Sequence, residues 1–544
     1  MNKPLLGSIA LATLLFGDAS AATIYERFEA MEKEMQGLQS EVTDLRAKQA
    51  AAEEAAAKAA EEEEEEDEPE DDASDEDDSE DEEGDDEEDE EEDISEVIEE
   101  MQEEITELTK ATSGNHLKLG VDFRTSYDYI SYEMADGSKA KNNNIIANRL
   151  WLNMNWAANE NVSFTGQLAY NKTYGARFGN DGPYSDFDTF DWFVNETQNG
   201  DGILRVRSAY WFYRNDTFLG TDIPWTFSIG RRPSTNGHLI NLRDDDPAAS
   251  PSGHTINVEF DGISSKFSLE KLTGVEGMYI KLCAGKGVTH AHEKFSTQPY
   301  ANTLSAGEVD NVYLGGFIFV PYDDGQYSIG TQVYGASSLP GQNFDATAPV
   351  PNPTPLTPAG DLYSGSIYFM MNGIGDEWAD FLDDTTFFMS GAMSRTNPDD
   401  RTNPFNPAEQ QKMFGSTDME NGYSYWVGLN MPSLISEDGR FGLEFNHGSK
   451  YWRSITYGED TLIGSKVAAR GDAYEAYFTE PLVDDSLSLQ IRYTYIDYKY
   501  SGSNGFFGNV SGTPYTIEEA NAFGFGSQVV DKAQDLRVYL RYRF

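Results

Sequence analysis

The final ten residues, DLRVYLRYRF, alternate strictly between two faces. Leu536, Val538, Leu540, Tyr542 and Phe544 make one face, wholly apolar or aromatic; Arg537, Tyr539, Arg541 and Arg543 make the other. A period of two is that of a β-strand. In a water-soluble sheet nothing would lie beyond Phe544 to cover the greasy face. The tail is therefore expected to turn that face to lipid, with its aromatic ends in the interface girdle of a membrane barrel.

The other end carries an address. MNKPLLGSIALATLLFGDASAA has an early lysine, an apolar stretch from Leu5 to Phe16 and small residues at Ala19 and Ala21. This pattern predicts a secretory signal peptide over 1–21. Its apolar stretch of roughly 12 residues is shorter than the ~20 a spanning helix needs, and no later segment qualifies. The single cysteine, Cys283, gives no disulfide framework, cysteine-built metal site or lipid attachment at the cleavage point. Export to a bacterial envelope follows, with no cofactor implied.

The formal charge of −56, from 95 acidic and 39 basic residues, makes nucleic acid an unsuitable partner. The acid is concentrated in 61–93, where nearly every residue is Glu or Asp and none is Lys or Arg. Such a run repels itself and has no core to bury, so it reads as a disordered spacer. On its N-terminal side, within 22–60, Ile24, Phe28, Met31, Met35, Leu38, Val42 and Leu45 recur at alternating steps of four and three, a heptad seam. A second short heptad segment, 94–113, carries Ile94, Ile98, Met101, Ile105 and Leu108. Lone helices of this length are marginal in water, so the seam predicts self-association as a homotrimer; the alternative is packing of the two segments on each other.

From 114 to 544 the chain is rich in Tyr, Phe, Trp, Gly and Asn, in alternating segments separated by polar loops. About 16 strands are expected, at 117–134, 145–158, 161–174, 202–215, 224–232, 255–269, 277–285 and 311–321, then 325–336, 361–372, 383–395, 421–431, 438–448, 470–480, 486–500 and 533–544. Every second connection is short, as at 159–160 and 322–324, while the others run long, as at 175–201 and 286–310. A soluble sandwich has no reason to sort its loops this way, whereas an outer-membrane barrel does. The expected fold is an all-β transmembrane barrel of antiparallel strands, preceded by the coiled-coil segment and acidic spacer in the periplasm.

A C-terminal strand ending in Phe resembles the assembly signal of Gram-negative outer-membrane proteins. The stretches SIGRRPSTNGHLINLRDD, INVEFDGI and GLEFNHGSKYW resemble an uncharacterised porin-like family of proteobacterial outer-membrane β-barrel proteins. That resemblance covers 114–544 and implies a place and a shape without a substrate.

Alternation also assigns faces. Where Leu150, Leu152, Met154 and Trp156 meet lipid, Arg149, Trp151, Asn153 and Asn155 point inward. By the same rule Arg124, Arg205, Arg207, Arg492, Arg537 and Arg541 point inward, with Asp122 and Asp128 among them. Barrel closure brings the last strands beside the first, so these arginines should form a basic wall. The loop 233–254 resembles the inward-folded constriction loop of general porins; it holds Asp244, Asp245 and Asp246, which would then face the arginines across a narrow aqueous gap. The alternative is that the arginines pair with lumen acids and the three aspartates sit in an exposed turn.

Catalysis is the rival from another class. His290, His292 and Glu293 in THAHE have ligand-like spacing, and His447 lies near Glu444, Asn446 and Ser449 in sequence. The first reads as a polar loop, and the second set alternates faces along a strand and should not converge. No catalytic or metal site is expected. The chain reads as a porin for passive diffusion of small hydrophilic solutes or ions. The alternatives are an outer-membrane anchor tethered to peptidoglycan or another periplasmic partner, and a barrel-rim hydrolase.

Overall fold

The computed structural model describes residues 118–174, 204–288 and 311–544, less the short stretches 235–236, 248, 342–343, 346–351, 354–356, 376–378, 400–401, 404–405, 411–413, 457–458, 460, 484–485 and 503–512. The signal peptide, both heptad segments, the acidic spacer and the His290, His292 and Glu293 motif lie outside the described residues. No described helix is long and apolar enough to cross a membrane.

Sixteen antiparallel strands close into one barrel. In chain order they are β1 Lys118–Met134, β2 Lys139–Ala157, β3 Val162–Thr173, β4 Arg205–Asn215, β5 Trp225–Ser234, β6 Val258–Ser268, β7 Tyr279–Val288 and β8 Val312–Asp323. The second half comprises β9 Tyr327–Gly341, β10 Thr357–Asn372, β11 Thr386–Pro398, β12 Asn421–Pro432, β13 Arg440–Gly448, β14 Gly471–Val483, β15 Leu487–Tyr498 and β16 Val530–Arg543. Each overlaps one expected segment. The largest difference in start is at β2, which begins at Lys139 because KAKNNN pairs with the top of β1 (Glu133↔Lys139, Ile130↔Asn142). Those residues rise beyond the apolar band, where both faces meet water and alternation of polarity disappears.

The seam joins the two ends of the barrel sequence. β1 and β16 pair from Asp122↔Arg543 to Met134↔Val530, and Phe544 exchanges both backbone hydrogen bonds with Val121 at 2.9 Å. The C-terminal residue thus completes the ladder and leaves no open edge. Outside the barrel Leu443, Tyr474, Ile491 and Leu540 are exposed, while their chain neighbours Glu444, Glu475, Arg492 and Arg541 are buried within. An apolar exterior over a charged interior is the reverse of a soluble protein and suits a bilayer.

About sixteen strands leave a lumen too wide for wall side chains alone to fill. Part of it is narrowed by cross-strand pairs in which an inward glycine receives the aromatic ring opposite: Gly428 with Phe388, Gly442 with Tyr477, and Gly330 with Tyr368. A Cβ at Gly442 would fall inside the Tyr477 ring. Tyr477 is fully buried and accepts a hydrogen bond from Asn430 at 3.1 Å, so it has nowhere to retreat. Gly442→Val should therefore destabilise the refolded barrel by about 1–3 kcal/mol, the range for overpacking, in urea unfolding followed by tryptophan fluorescence.

Candidate functional site

The interior of β15, β16, β1 and β2 carries arginines in register. Arg541, Arg124 and Arg149 are successive cross-strand partners, and Arg492 lies opposite Arg537. Like charges directly opposite destabilise a sheet, and carboxylates from the same wall relieve this row. Asp122 accepts hydrogen bonds from Arg149 at 3.0 Å and from Arg541 at 2.6 Å, and Asp128 pairs with Arg537. The Arg124 guanidinium lies over the Tyr539 ring at 5.0 Å. Two cations lie over the Trp151 ring, Arg149 at 3.6 Å and Arg207 at 4.2 Å from its centre. Arg207 also pairs with the fully buried Glu259 at 3.3 Å and donates to Gln167. Arg205 is half-buried on the same strand. Arginines of this wall thus stand in contact with its own carboxylates, Arg149 and Arg541 with Asp122 and Arg537 with Asp128.

The β5–β6 loop, 235–257, turns into the lumen. Its helical turn, Ile240–Asp244, is bracketed by left-handed residues at Leu239 (φ 81°) and Asp245 (φ 51°). Interior groups from much of the barrel wall take hold of its backbone. Gln490 donates to the Arg243 carbonyl at 2.7 Å, Arg541 to that of Asp244 at 2.7 Å, and Gln332 bonds Ser252 from both amide atoms. Asp246 sits 2.8 Å from Arg541, and Asp245 2.7 Å from Arg543. Asp245 and Asp246 touch Arg543 and Arg541 directly, so the expected aqueous gap is closed at those two arginines. Asp244 turns instead to Arg243, 2.8 Å away. The close approach is favoured because charges taken out of water must be paired.

A second loop, 449–470 between β13 and β14, also enters the lumen and meets the first. Asn257 and Thr255 exchange backbone hydrogen bonds with Ile455 at 2.7 and 2.9 Å. Arg243, fully buried, reaches Glu459 at 3.0 Å and Glu475 on β14 at 3.7 Å. Lys466 bonds Glu444 at 2.6 Å and also Glu475. Sequence reasoning placed none of these loop residues in the lumen. Its signal lay in Trp452, Ile455, Ile463 and Val467, all buried, since a solvated loop has no use for four large apolar residues.

Beside the first loop the lumen stays open. A cavity of about 520 Å³ is bounded by Asp122, Trp151, Asn153, Gln167, Arg207 and Asp246, far above the about 10–15 Å³ that one water requires. A second, of about 370 Å³, is bounded by Asn241, Asp246, Asp384, Asn430 and Arg440. Both lie toward the short-turn end, where Phe544 borders the first and Gly373 the second.

The hydrolytic candidates do not converge. Glu444 and Asn446 are buried inside, whereas His447 turns outward to Asp472 at 2.7 Å and stacks on Tyr425. The Ser449 hydroxyl accepts from the Tyr423 backbone. Among the described residues no cluster of three His, Cys, Asp or Glu could hold a metal.

Fold and site together define a closed, lipid-facing sixteen-stranded β-barrel whose lumen is narrowed by inward loops. The chain belongs to a family described as a protein of unknown function (DUF3373), whose model matches residues 139–544. No curated protein matches it. Among solved structures it is similar to an anion-selective porin of Comamonas acidovorans, at 11% identity over 79% of this chain and 99% of that one, with a TM-score of 0.41. It is also similar to OmpT, an outer-membrane protein of Vibrio cholerae (11% identity, 79% and 97% covered, TM-score 0.40). A third is the outer-membrane channel DcaP of Acinetobacter baumannii (12% identity, 79% and 98% covered, TM-score 0.37).

Proposed function

We propose that the chain is an outer-membrane porin through which small hydrophilic solutes or ions diffuse passively. The observation that supports it most is the polar cavity left between the pinned loop and the β1–β4 wall of a barrel with an apolar exterior. A solute there meets Asn153 and Gln167 as hydrogen-bond partners while it sheds water. The ion pairs Arg207 with Glu259 and Arg541 with Asp122 and Asp246 supply fixed dipoles across its path. Such dipoles order water, so a polar solute replaces that water readily and an apolar one is penalised. The arginine wall and Asp244, Asp245 and Asp246 set selectivity in this reading. The heptad seam from Ile24 to Leu45 supports a homotrimer, with that segment and the acidic spacer in the periplasm.

Conductance of the purified protein in a planar lipid bilayer tests the proposal: stepwise openings in threes are expected, and silence from correctly folded protein would overturn it. Replacing Arg205 and Arg207 together by Gln should raise permeability to K⁺ relative to Cl⁻ on the order of twofold or more, because the positive charge that Arg207 holds at the cavity would be lost. An unchanged reversal potential in a salt gradient would remove both arginines from the path. Two loops across one lumen favour a second reading, a filled barrel acting as a membrane anchor for a periplasmic tether, and a silent but folded protein is its expected result.

A further inference from the structure

The lipid-facing surface of the barrel also carries charge. Along β11 the residues alternate: Ala392, Ser394 and Thr396 are buried within, while Met389, Met393 and Arg395 are exposed outside. Arg395 stands near the end of β11, just before the chain enters the long connection 399–420. That end of the barrel lies opposite the short turns and is the extracellular one in outer-membrane barrels. Tyr363 on β10 and Asn421 on β12 are the direct cross-strand partners of Arg395, and Tyr423, opposite Met393, is its diagonal neighbour. Tyr363, Tyr423 and Tyr425 are each about half exposed. Such a ring of outward tyrosines marks the interfacial girdle, the depth of the lipid headgroups.

Other cations on the outer surface are neutralised by the protein itself: Lys499 reaches Asp497 at 2.6 Å, Lys532 reaches Glu133 at 3.4 Å and Arg231 reaches Asp261 at 3.6 Å. Among the described residues the Arg395 guanidinium makes one hydrogen bond, to the Met419 sulfur at 3.7 Å, and a thioether is a weak, uncharged acceptor. Tyr363, Tyr423 and Asn421 are exposed beside it, and their side chains make no hydrogen bond among the described residues. A guanidinium fork ringed by three further donors, with no carboxylate among them, suits a phosphate. The surface below says where that phosphate comes from. Met389, Met393 and Ile367 are exposed there, and the outward positions Gly365, opposite Met393, and Gly391, opposite Ile367, carry no side chain. A Cβ at Gly391 would meet nothing within 4 Å. A free phosphate ion gains nothing from this apolar ground, whereas a lipid lays an acyl chain along it.

We infer that this face of β10, β11 and β12 binds a phosphate-bearing lipid of the outer leaflet, with the phosphate on Arg395 among Tyr363, Asn421 and Tyr423 and an acyl chain across Gly365 and Gly391. The inference requires a lipid-facing barrel and not a conducting lumen. Native mass spectrometry of the folded full chain, released from detergent micelles, reads it. Dioctanoyl phosphatidic acid is expected to bind about tenfold more tightly than dioctanoyl phosphatidylcholine, whose choline cancels the charge of its phosphate. Inorganic phosphate at the same concentration should not displace it. Arg395→Gln should weaken phosphatidic acid binding about tenfold, the effect of losing one charge-assisted contact. Arg395→Lys should lose less, because it keeps the charge without the fork. Lys499→Gln, which removes an outward cation already held by Asp497, should leave binding unchanged.

Equal affinity for the two lipids overturns the inference on the native chain, whichever variants fold; mobility on an unheated gel reports which do. Native-like binding by folded Arg395→Gln overturns it as well. Displacement by inorganic phosphate as effective as by the lipid would make this a site for a free anion and overturn the lipid assignment. A smaller oligomer in Arg395→Gln, with lipid binding unchanged, would instead give this face to contact between copies of the chain.

Discussion

Arg243→Met should detach the first loop from the lumen, lower stability by about 3–5 kcal/mol and enlarge the single-channel conductance step. Arg243 is fully buried and is the tie between Asp244, Glu459 and Glu475, at 2.8, 3.0 and 3.7 Å. Methionine fills similar space but leaves Glu459 and Glu475, both buried, short of their cation. Breaking a buried pair from one side is costly because the remaining charge is stranded in a low dielectric. The strained turn at Leu239 and Asp245 then has less to hold it, and the loop can release its charge to water by leaving. Removing the stranded acid as well, in Arg243→Met with Glu459→Gln, should recover much of the lost stability. Urea unfolding and step conductance in a bilayer check both variants. A loss of stability below about 0.5 kcal/mol with an unchanged step size would mean that the loop is held elsewhere, by its backbone bonds to Gln490, Gln332 and Arg541.

The barrel was legible in the sequence because lipid imposes a two-residue period wherever a strand crosses it. The tail shows this best: Leu536, Leu540 and Tyr542 are exposed outside, and Arg537, Tyr539 and Arg541 are buried within. Legibility ended where the apolar band ended. KAKNNN at the start of β2 is exposed on both sides, so nothing in its polarity marks it as a strand. Parity placed seven arginines in the lumen, but their partners depend on ring closure and on where the loops go. Asp122, on the same wall, could be suspected of pairing; Asp246, more than a hundred residues further on, could be suspected only if its loop was assumed to fold inward. Glu459 and Lys466 lie in a loop with no strand period to assign them a face, and only the large apolar residues within it, such as Trp452 and Val467, signal that it folds inward. Arg395 could be turned outward by parity, but its standing between Tyr363 and Asn421 is a matter of strand register. Register is fixed by turns and packing more than by either strand alone.

Acidification should loosen the first loop through a residue that composition alone would not single out. His254 is fully buried, with Nδ1 2.8 Å from the Ser390 hydroxyl, Nε2 2.9 Å from that of Ser424, and the rings of Trp426 and Trp452 each 5.7 Å away. Asn446 completes the contacts at 3.5 Å, and none of these groups is charged. Burial therefore holds the imidazole down at about 3, from an ordinary value of 6.5. Between those values the released loop binds a proton that the docked loop refuses. This contribution to docking is complete above pH 6.5 and is lost progressively as the pH falls toward 3, amounting to about 2 kcal/mol at pH 5. Fluorescence of Trp426 and Trp452, or proteolysis of 235–257, followed from pH 7.5 to 4, reads the change. His254→Gln keeps one donor and one acceptor but cannot take up the proton. Its profile should stay flatter than the native one, since the loop's carboxylates are common to both proteins. Coincident profiles would show that the loop's response to acid belongs to the carboxylates and that His254 serves only to fill the space between the two tryptophans.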